Sequence, residues 1–203
     1  DRHEEVYPVG HSLNASVLHT QPDTTAADLR QEALRAGATD MIAVGGDGTV
    51  NLVAAAVAGT ALRMAIVPVG SGNGLARCAG IPLKPSGAFE VLLHGTPQPS
   101  DAFEVNGRFA CMLCGIGFDA AVAHRFAQQK KRGLLTYARL TLQEYLRFKP
   151  VPFSIRAEGL NMDTAAYMVT VANSNQFGNN VTIAPMASLT DGLLDIVVVK
   201  KQP

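Results

Sequence analysis

The chain has 203 residues, 47% hydrophobic and 17% charged, with seventeen basic side chains against seventeen acidic ones and no tryptophan. That composition supports a real core and excludes wholesale disorder, and a balanced charge lacks the basic footprint of sequence-independent nucleic-acid binding. No run reaches the roughly 18–20 apolar residues of a membrane span, and the charged start "DRHEEVYPVG" is not a signal peptide.

In chain order, "NASVLHT" reads as a strand ending at Thr20. "TTAADLRQEALRAG" reads as a helix that Thr24 or Thr25 caps and Gly37 stops. "DMIAV" is a short apolar strand of the kind buried on both faces of a parallel sheet. "TVNLVAAAVAG" is helical up to Gly59, "LRMAIVPVG" is a second buried strand, and "GLARCAG" opens another helix. This alternation predicts a three-layer α/β unit over residues 1–95. The linker "HGTPQPSD" (94–101) then changes the pattern. "DAFEVNGRFACMLCGIGF" reads as a hairpin about Asn106-Gly107. "FSIRAEG", "AAYMVTVANS" and "LLDIVVVK" read as further strands, with one helical interruption at 119–148. Residues 96–203 are therefore expected to form an antiparallel sheet or sandwich.

Three cysteines, an odd number, argue against a disulfide framework. Cys111 and Cys114 form a lone C-x-x-C with no second pair to complete a zinc site, and they read as small buried hydrophobes. A reducing cytoplasm fits best. The five histidines show no metal or triad spacing.

The chemistry concentrates in "GGDGT" (45–49), between a strand and a helix. Glycines there let backbone N–H groups approach a ligand closely, and a helix N-terminus adds donors and a positive dipole end. Phosphate is the natural guest. Asp47 would repel it unless a bridging Mg²⁺ intervenes; the alternative is that Asp47 is simply an N-cap. "PVGSGNGLAR" (68–77) repeats the device after the next strand, and both turns would share the carboxyl edge where open α/β sheets bind ligands. Neither the P-loop pattern nor G-x-G-x-x-G is present.

"GGDGTVN" followed by "PVGSGNGLAR", "GIGFDA" (115–120), "ANSNQFGNN" (172–180) and "IAPMASLTDGLLDIVVV" (183–199) resembles the diacylglycerol kinase catalytic-domain family, which includes bacterial lipid kinases, sphingosine kinases and ceramide kinases. The resemblance runs from residue 16 to residue 199. GGDGT alone is shared with NAD kinases and phosphofructokinases; the S-G-N turn and the D-G-L-L-D segment make the pattern specific. The resemblance implies an α/β nucleotide-binding domain followed by a β-sandwich, with the active site between them. It implies an ATP- and Mg²⁺-dependent kinase that phosphorylates a hydroxyl of a diacylglycerol- or sphingoid-type lipid. The competing readings are a soluble-substrate kinase acting on NAD or a sugar phosphate, and a nucleotide- or lipid-binding module without catalysis.

Residue by residue, the resemblance places ATP against Gly45, Gly46, Asp47, Gly48, Thr49 and Asn51, with Thr20 at phosphate or ribose and Ser71, Gly72 and Asn73 opposite. Asp47 would organise the Mg²⁺, with Asp101 as a partner or as a strand cap. Asp119 would stand on the acceptor side or cap the following helix. A second, structural Mg²⁺ would involve Leu189 and Asp191, where Met186 replaces the family's polar ligand and Asp191 reads equally as a turn cap. Leu52 and Gly74 stand where acidic residues are usual. Arg77 reads either as a phosphate contact or as an outward helix arginine. The basic "KKRG" (130–133) reads either as a contact to anionic lipid or as a solvated helix end. The expected partners are a lipid substrate, a membrane surface touched peripherally and a second copy in a homodimer, with no nucleic acid. Both ends are expected to be truncated: the family's opening strand with its N-P-x-S-G turn, and a closing segment with an acidic general base, do not occur within residues 1–203.

Overall fold

The computed structural model describes residues 14–129, 134–145 and 147–200. Helix α1 (Ala26–Arg35) starts at a capping box: the Thr25 hydroxyl accepts from the Asp28 N–H, and the Asp28 carboxylate accepts from the Thr25 N–H. Gly37, at φ +65°, takes the chain out of the helix. Strand β1 (Asp40–Gly45) runs parallel to β2 (Arg63–Pro68), in register from Asp40 opposite Arg63 to Gly45 opposite Pro68. Between them lies α2 (Asp47–Val57), which buries Val50, Val53, Ala54 and Ala56 against Ala43 and Ile66 of the sheet and Leu29 of α1.

The last turn of α2 contains no basic residue. Arg30 of α1 supplies one from outside. Its Nε–H donates to Ala56 O (2.7 Å) and its Nη2 to Ala55 O and Ala58 O (3.0 Å each). A cation thus sits on the terminal carbonyls, where the helix dipole is negative.

Two expectations for this half are corrected. Residues 14–20 form no strand and are exposed throughout. Strand β1 is not buried on both faces: Ala43 and Gly45 are buried, but Val44 is 58% exposed and Ile42 37%. With only β2 beside it among the described residues, β1 has α2 over one face and solvent over the other.

Short helices α3 (Gly74–Cys78) and α4 (Pro85–His94) follow β2, and residues 95–102 carry the chain across to the second half. There β3 (Phe103–Val105) and β4 (Arg108–Ala110) form the expected hairpin. Asn106 and Gly107, at φ +52° and +72°, supply the left-handed pair that a two-residue type I′ turn needs. Strand β5 (Leu113–Gly117) leads into α5 (Phe118–Ala127) and α6 (Leu134–Tyr145), and "KKRG" between these helices lies outside the described residues. Then β6 (Val151–Ala157) pairs with β7 (Leu160–Ala166), and β8 (Met168–Ala172) lies between β5 and β9 (Asp195–Val199), all antiparallel.

The run 165–174, expected as one strand, is two. The break is at Tyr167, whose N–H donates to Val199 O (2.7 Å) and whose carbonyl accepts from the Phe118 N–H (2.9 Å). There the chain leaves the β6–β7 sheet and joins the other, a corner between sheets. The halves share a core: Cys111 joins the buried cluster of α1, α2, β1 and β2, and Phe109, Met112 and Leu189 pack against it. All three cysteines are free, and burial pushes the Cys111 thiol up to about 11, which leaves it inert.

Candidate active site

Helix α2 begins earlier than the sequence suggested. Gly46 is its N-cap and Asp47 its first residue, so D-G-T forms the first turn. The N-cap reading of Asp47 therefore gives way to a place inside the helix. The first intrahelical bond runs from the Val50 N–H to Gly46 O (3.0 Å). The N–H groups of Asp47, Gly48 and Thr49 precede it, as the first amides of any helix do. Gly48 is exposed, and a Cβ added to it would meet nothing within 4 Å.

The second glycine turn lies directly against the first. A Cβ on Gly46 would come within 3.2 Å of Gly70 Cα, and a Cβ on Gly70 would overlap Gly46 Cα. Only glycine at both positions allows this backbone-to-backbone contact. Asn73, at φ +51°, folds the S-G-N turn on itself: its Oδ1 accepts from the Gly70 N–H (2.9 Å) and its Nδ2 donates to Gly70 O (2.7 Å). Ser71 is left exposed at the tip.

Asp47 joins the two turns. Its Oδ1 accepts from the Gly74 N–H (2.7 Å), and its Oδ2 lies 2.9 Å from where a Gly72 Cβ would be. The result is one carboxylate at the seam of two bare backbone turns, beside a helix N-terminus. A Mg²⁺ that arrives with a nucleotide needs one or two protein carboxylates and fills its shell with phosphate oxygens and water. Asp47 fits that role. A dedicated protein cage does not: among the described residues no group of three or more His, Cys, Asp or Glu side chains is placed to hold a metal.

Other sequence candidates fall in distinct places. Thr49 stacks over Gly45, where a Cβ would meet its side chain at 2.5 Å. The Asn51 amide is engaged at both ends, donating to Phe109 O (3.2 Å) and accepting from the Cys111 N–H (3.1 Å), so it ties α2 to the second half. Thr20 is exposed on a segment without regular structure. Leu52 packs against the shared core.

Asp101 gathers with Leu189 and Asp191. Its N–H donates to Leu189 O (2.6 Å), and its Oδ2 accepts from the Gly192 N–H (2.7 Å). Asp191 Oδ1 accepts from the Leu193 N–H (3.0 Å), a turn-capping bond. Met186, 84% exposed, brings only a soft thioether to that neighbourhood.

Asp119 is in the first turn of α5, with its carboxylate directly over Gly115, where a Cβ would overlap it. Oδ1 accepts from the Ala120 N–H (2.9 Å) and Oδ2 from the fully buried Thr170 hydroxyl (3.4 Å). Burial raises its pKa above the ordinary carboxylate value, partly offset by these hydrogen bonds.

Sequence reasoning missed the turn Phe177–Val181. Gly178, Asn179 and Asn180 have φ of +115°, +50° and +61°. The Asn179 N–H donates to Gly72 O (3.2 Å), and Arg77 reaches both Gly72 O and Asn180 Oδ1. The run G-N-N was the available signal, since glycine and asparagine are the residues that tolerate left-handed backbone.

Fold and site together define a two-domain protein: an α/β layer with two abutting glycine turns beside a carboxylate, followed by an antiparallel β half. The chain belongs to the diacylglycerol kinase catalytic-domain family. The profile of the diacylglycerol kinase catalytic domain matches residues 4–105, and that of the YegS C-terminal NAD kinase beta sandwich-like domain matches residues 113–203. A Pseudomonas aeruginosa protein named "Probable lipid kinase YegS-like" is 34% identical over 189 residues, covering 90% of this chain and 62% of that protein. A Mycobacterium tuberculosis diacylglycerol kinase is 30% identical over 181 residues, covering 85% of this chain and 59% of its own. The crystal structure of a diacylglycerol kinase from Bacillus anthracis superposes with a TM-score of 0.66 at 26% identity, covering 90% of this chain and 61% of that one. The chain thus spans about three-fifths of the length of these relatives.

Proposed function

We propose that this protein is an ATP- and Mg²⁺-dependent lipid kinase that transfers the γ-phosphoryl group to a hydroxyl of a diacylglycerol- or sphingoid-type lipid. The observation that carries this reading is Asp47 at the seam of the two glycine turns. Phosphoryl transfer depends mainly on positioning and charge neutralisation. The first-turn amides of α2 would cradle phosphate oxygens, the exposed edge at Ser71 and Gly72 would face the nucleotide from the other side, and Asp47 would hold the metal that neutralises developing charge. Asp119, on the second half, would stand on the acceptor side and orient the lipid hydroxyl. The names of the relatives support a lipid acceptor. No helix among the described residues is long and apolar enough to cross a membrane, so the reading has the protein meet its substrate peripherally.

The test incubates the full-length protein with γ-labelled ATP, Mg²⁺ and a total lipid extract, and separates the products. A labelled lipid is the expected result and identifies the acceptor. Label in NAD or a sugar phosphate only, or ATP bound without turnover, would overturn the proposal.

A further inference from the structure

We propose that Arg77 is a positioning residue: it locks the Ser71–Gly74 turn to the Phe177–Val181 turn, so that the nucleotide-facing turn and the second half of the chain move as one unit. The inference rests on the proposed nucleotide site for its functional consequence and on geometry alone for the lock.

The guanidinium reaches two partners. Its Nε–H donates to Gly72 O (3.1 Å) and its Nη1 to Asn180 Oδ1 (2.8 Å). Gly72 O also accepts from the Asn179 N–H (3.2 Å), so this one carbonyl receives donors from both halves. The turns touch closely enough to constrain side-chain size. A Cβ on Gly178 would lie 3.0 Å from the Gly72 backbone, and one on Gly74 would lie 3.2 Å from Phe177 O. The second turn closes on itself through Val181 N–H to Gly178 O (2.9 Å) and Phe177 N–H to Val181 O (3.0 Å).

Its three consecutive left-handed residues, two of them asparagines, are a conformation that persists only when its surroundings hold it. Gly72 and Arg77 are those surroundings. The same stretch of chain reaches the carboxylate through the Gly74 N–H on Asp47 Oδ1. The two successive peptides from Gly72 to Gly74 are therefore fixed, the first by the second half through Gly72 O and the next by Asp47 through the Gly74 N–H. A planar fork serves two acceptors in different directions, and a lysine ammonium on a flexible stem does not reproduce it.

The test uses the full-length protein, with Arg77→Lys, Asn180→Ala and the double variant. Amide exchange in peptides covering residues 70–78 and 177–184 is followed without nucleotide. Both peptides are expected to exchange faster together in either single variant. ATP KM is expected to rise about tenfold in Arg77→Lys, equivalent to about 1.4 kcal/mol, with kcat nearly unchanged. The double variant should be no worse than Arg77→Lys, because the two residues share one interaction. Faster exchange confined to 70–78, or additive effects in the double variant, would overturn the lock. Linked exchange with unchanged ATP KM would overturn the positioning role. If the unaltered protein binds no ATP, the proposed function fails, and the exchange data still decide the lock.

Discussion

Replacing Gly48 with alanine separates what the fold needs from what a ligand needs. A Cβ at Gly48 has nothing within 4 Å, and its backbone is helical, at the second residue of α2. The fold therefore accepts the methyl. Alanine is favoured over glycine in a helix by roughly 0.5–1 kcal/mol, because it has less backbone entropy to lose, and a first-turn position takes the lower end. For a protein of this size that raises Tm by about 1–3 °C. The same methyl stands on the exposed edge where the first-turn amides open. If phosphate approaches that backbone, Gly48→Ala weakens MgATP binding at least tenfold, about 1.4 kcal/mol. Gly70→Ala is the control: its Cβ would overlap Gly46 Cα and press within 2.8 Å of Asn73 Oδ1, an overpacking that costs about 1–3 kcal/mol. Thermal melts without nucleotide and calorimetric ATP titrations measure both. A Gly48→Ala protein that is more stable and binds ATP with undiminished affinity would refute the cradle, whatever the fate of Gly70→Ala.

Asp119→Asn should lower turnover by about tenfold or more, about 1.4 kcal/mol of barrier, with ATP affinity unchanged, because the residue stands on the acceptor side. In the unaltered protein, activity should fall on acidification at a higher pH than an ordinary aspartate would give, since its folded pKa lies above 3.8. The sign for stability is opposite to that of an ion-paired carboxylate. Ionising a group with a raised folded pKa costs stability above that pKa and nothing below the unfolded value. Asp119→Asn should therefore melt higher than the unaltered protein at neutral pH, and the gap should vanish below pH 3.8. Arg30→Ala should cost about 2 kcal/mol by uncapping the α2 carboxyl end, read by urea denaturation, with kcat per folded molecule unchanged. Asn51→Ala leaves the Cys111 N–H and Phe109 O without their partner and should cost about 1–3 kcal/mol, seen as a lower denaturation midpoint.

Local signals made the first half legible. A threonine cap at 24 or 25, the stop at Gly37 and the apolar runs "DMIAV" (40–44) and "LRMAIVPVG" (62–70) marked α1, β1 and β2 because caps and short apolar strands are written in adjacent residues. Asn106-Gly107 specified the hairpin for the same reason. What escaped the reading depends on partners far along the chain. The stretch "NASVLHT" has strand composition, but among the described residues it has no neighbour to pair with. The break at Tyr167 follows from bonds to Val199 and Phe118, which no window around residue 167 contains. The site divides in the same way. The glycines and Asp47 stood out as a local pattern. The engagement of Asn51 by β4 and of Arg77 by Asn180 is set by packing between segments 58 and 103 residues apart.

The account stands on Asp47 as the carboxylate that brings MgATP to the seam of the two turns. Asp47→Asn tests it with little disturbance to the fold, since asparagine keeps an oxygen for the Gly74 N–H and discards only the charge. ATP binding to the full-length protein should be measured by calorimetry with and without Mg²⁺. The account predicts that Mg²⁺ strengthens ATP binding to the unaltered protein and no longer does so in Asp47→Asn, whose Tm without nucleotide stays within a few degrees. An equal Mg²⁺ enhancement in both proteins would contradict it.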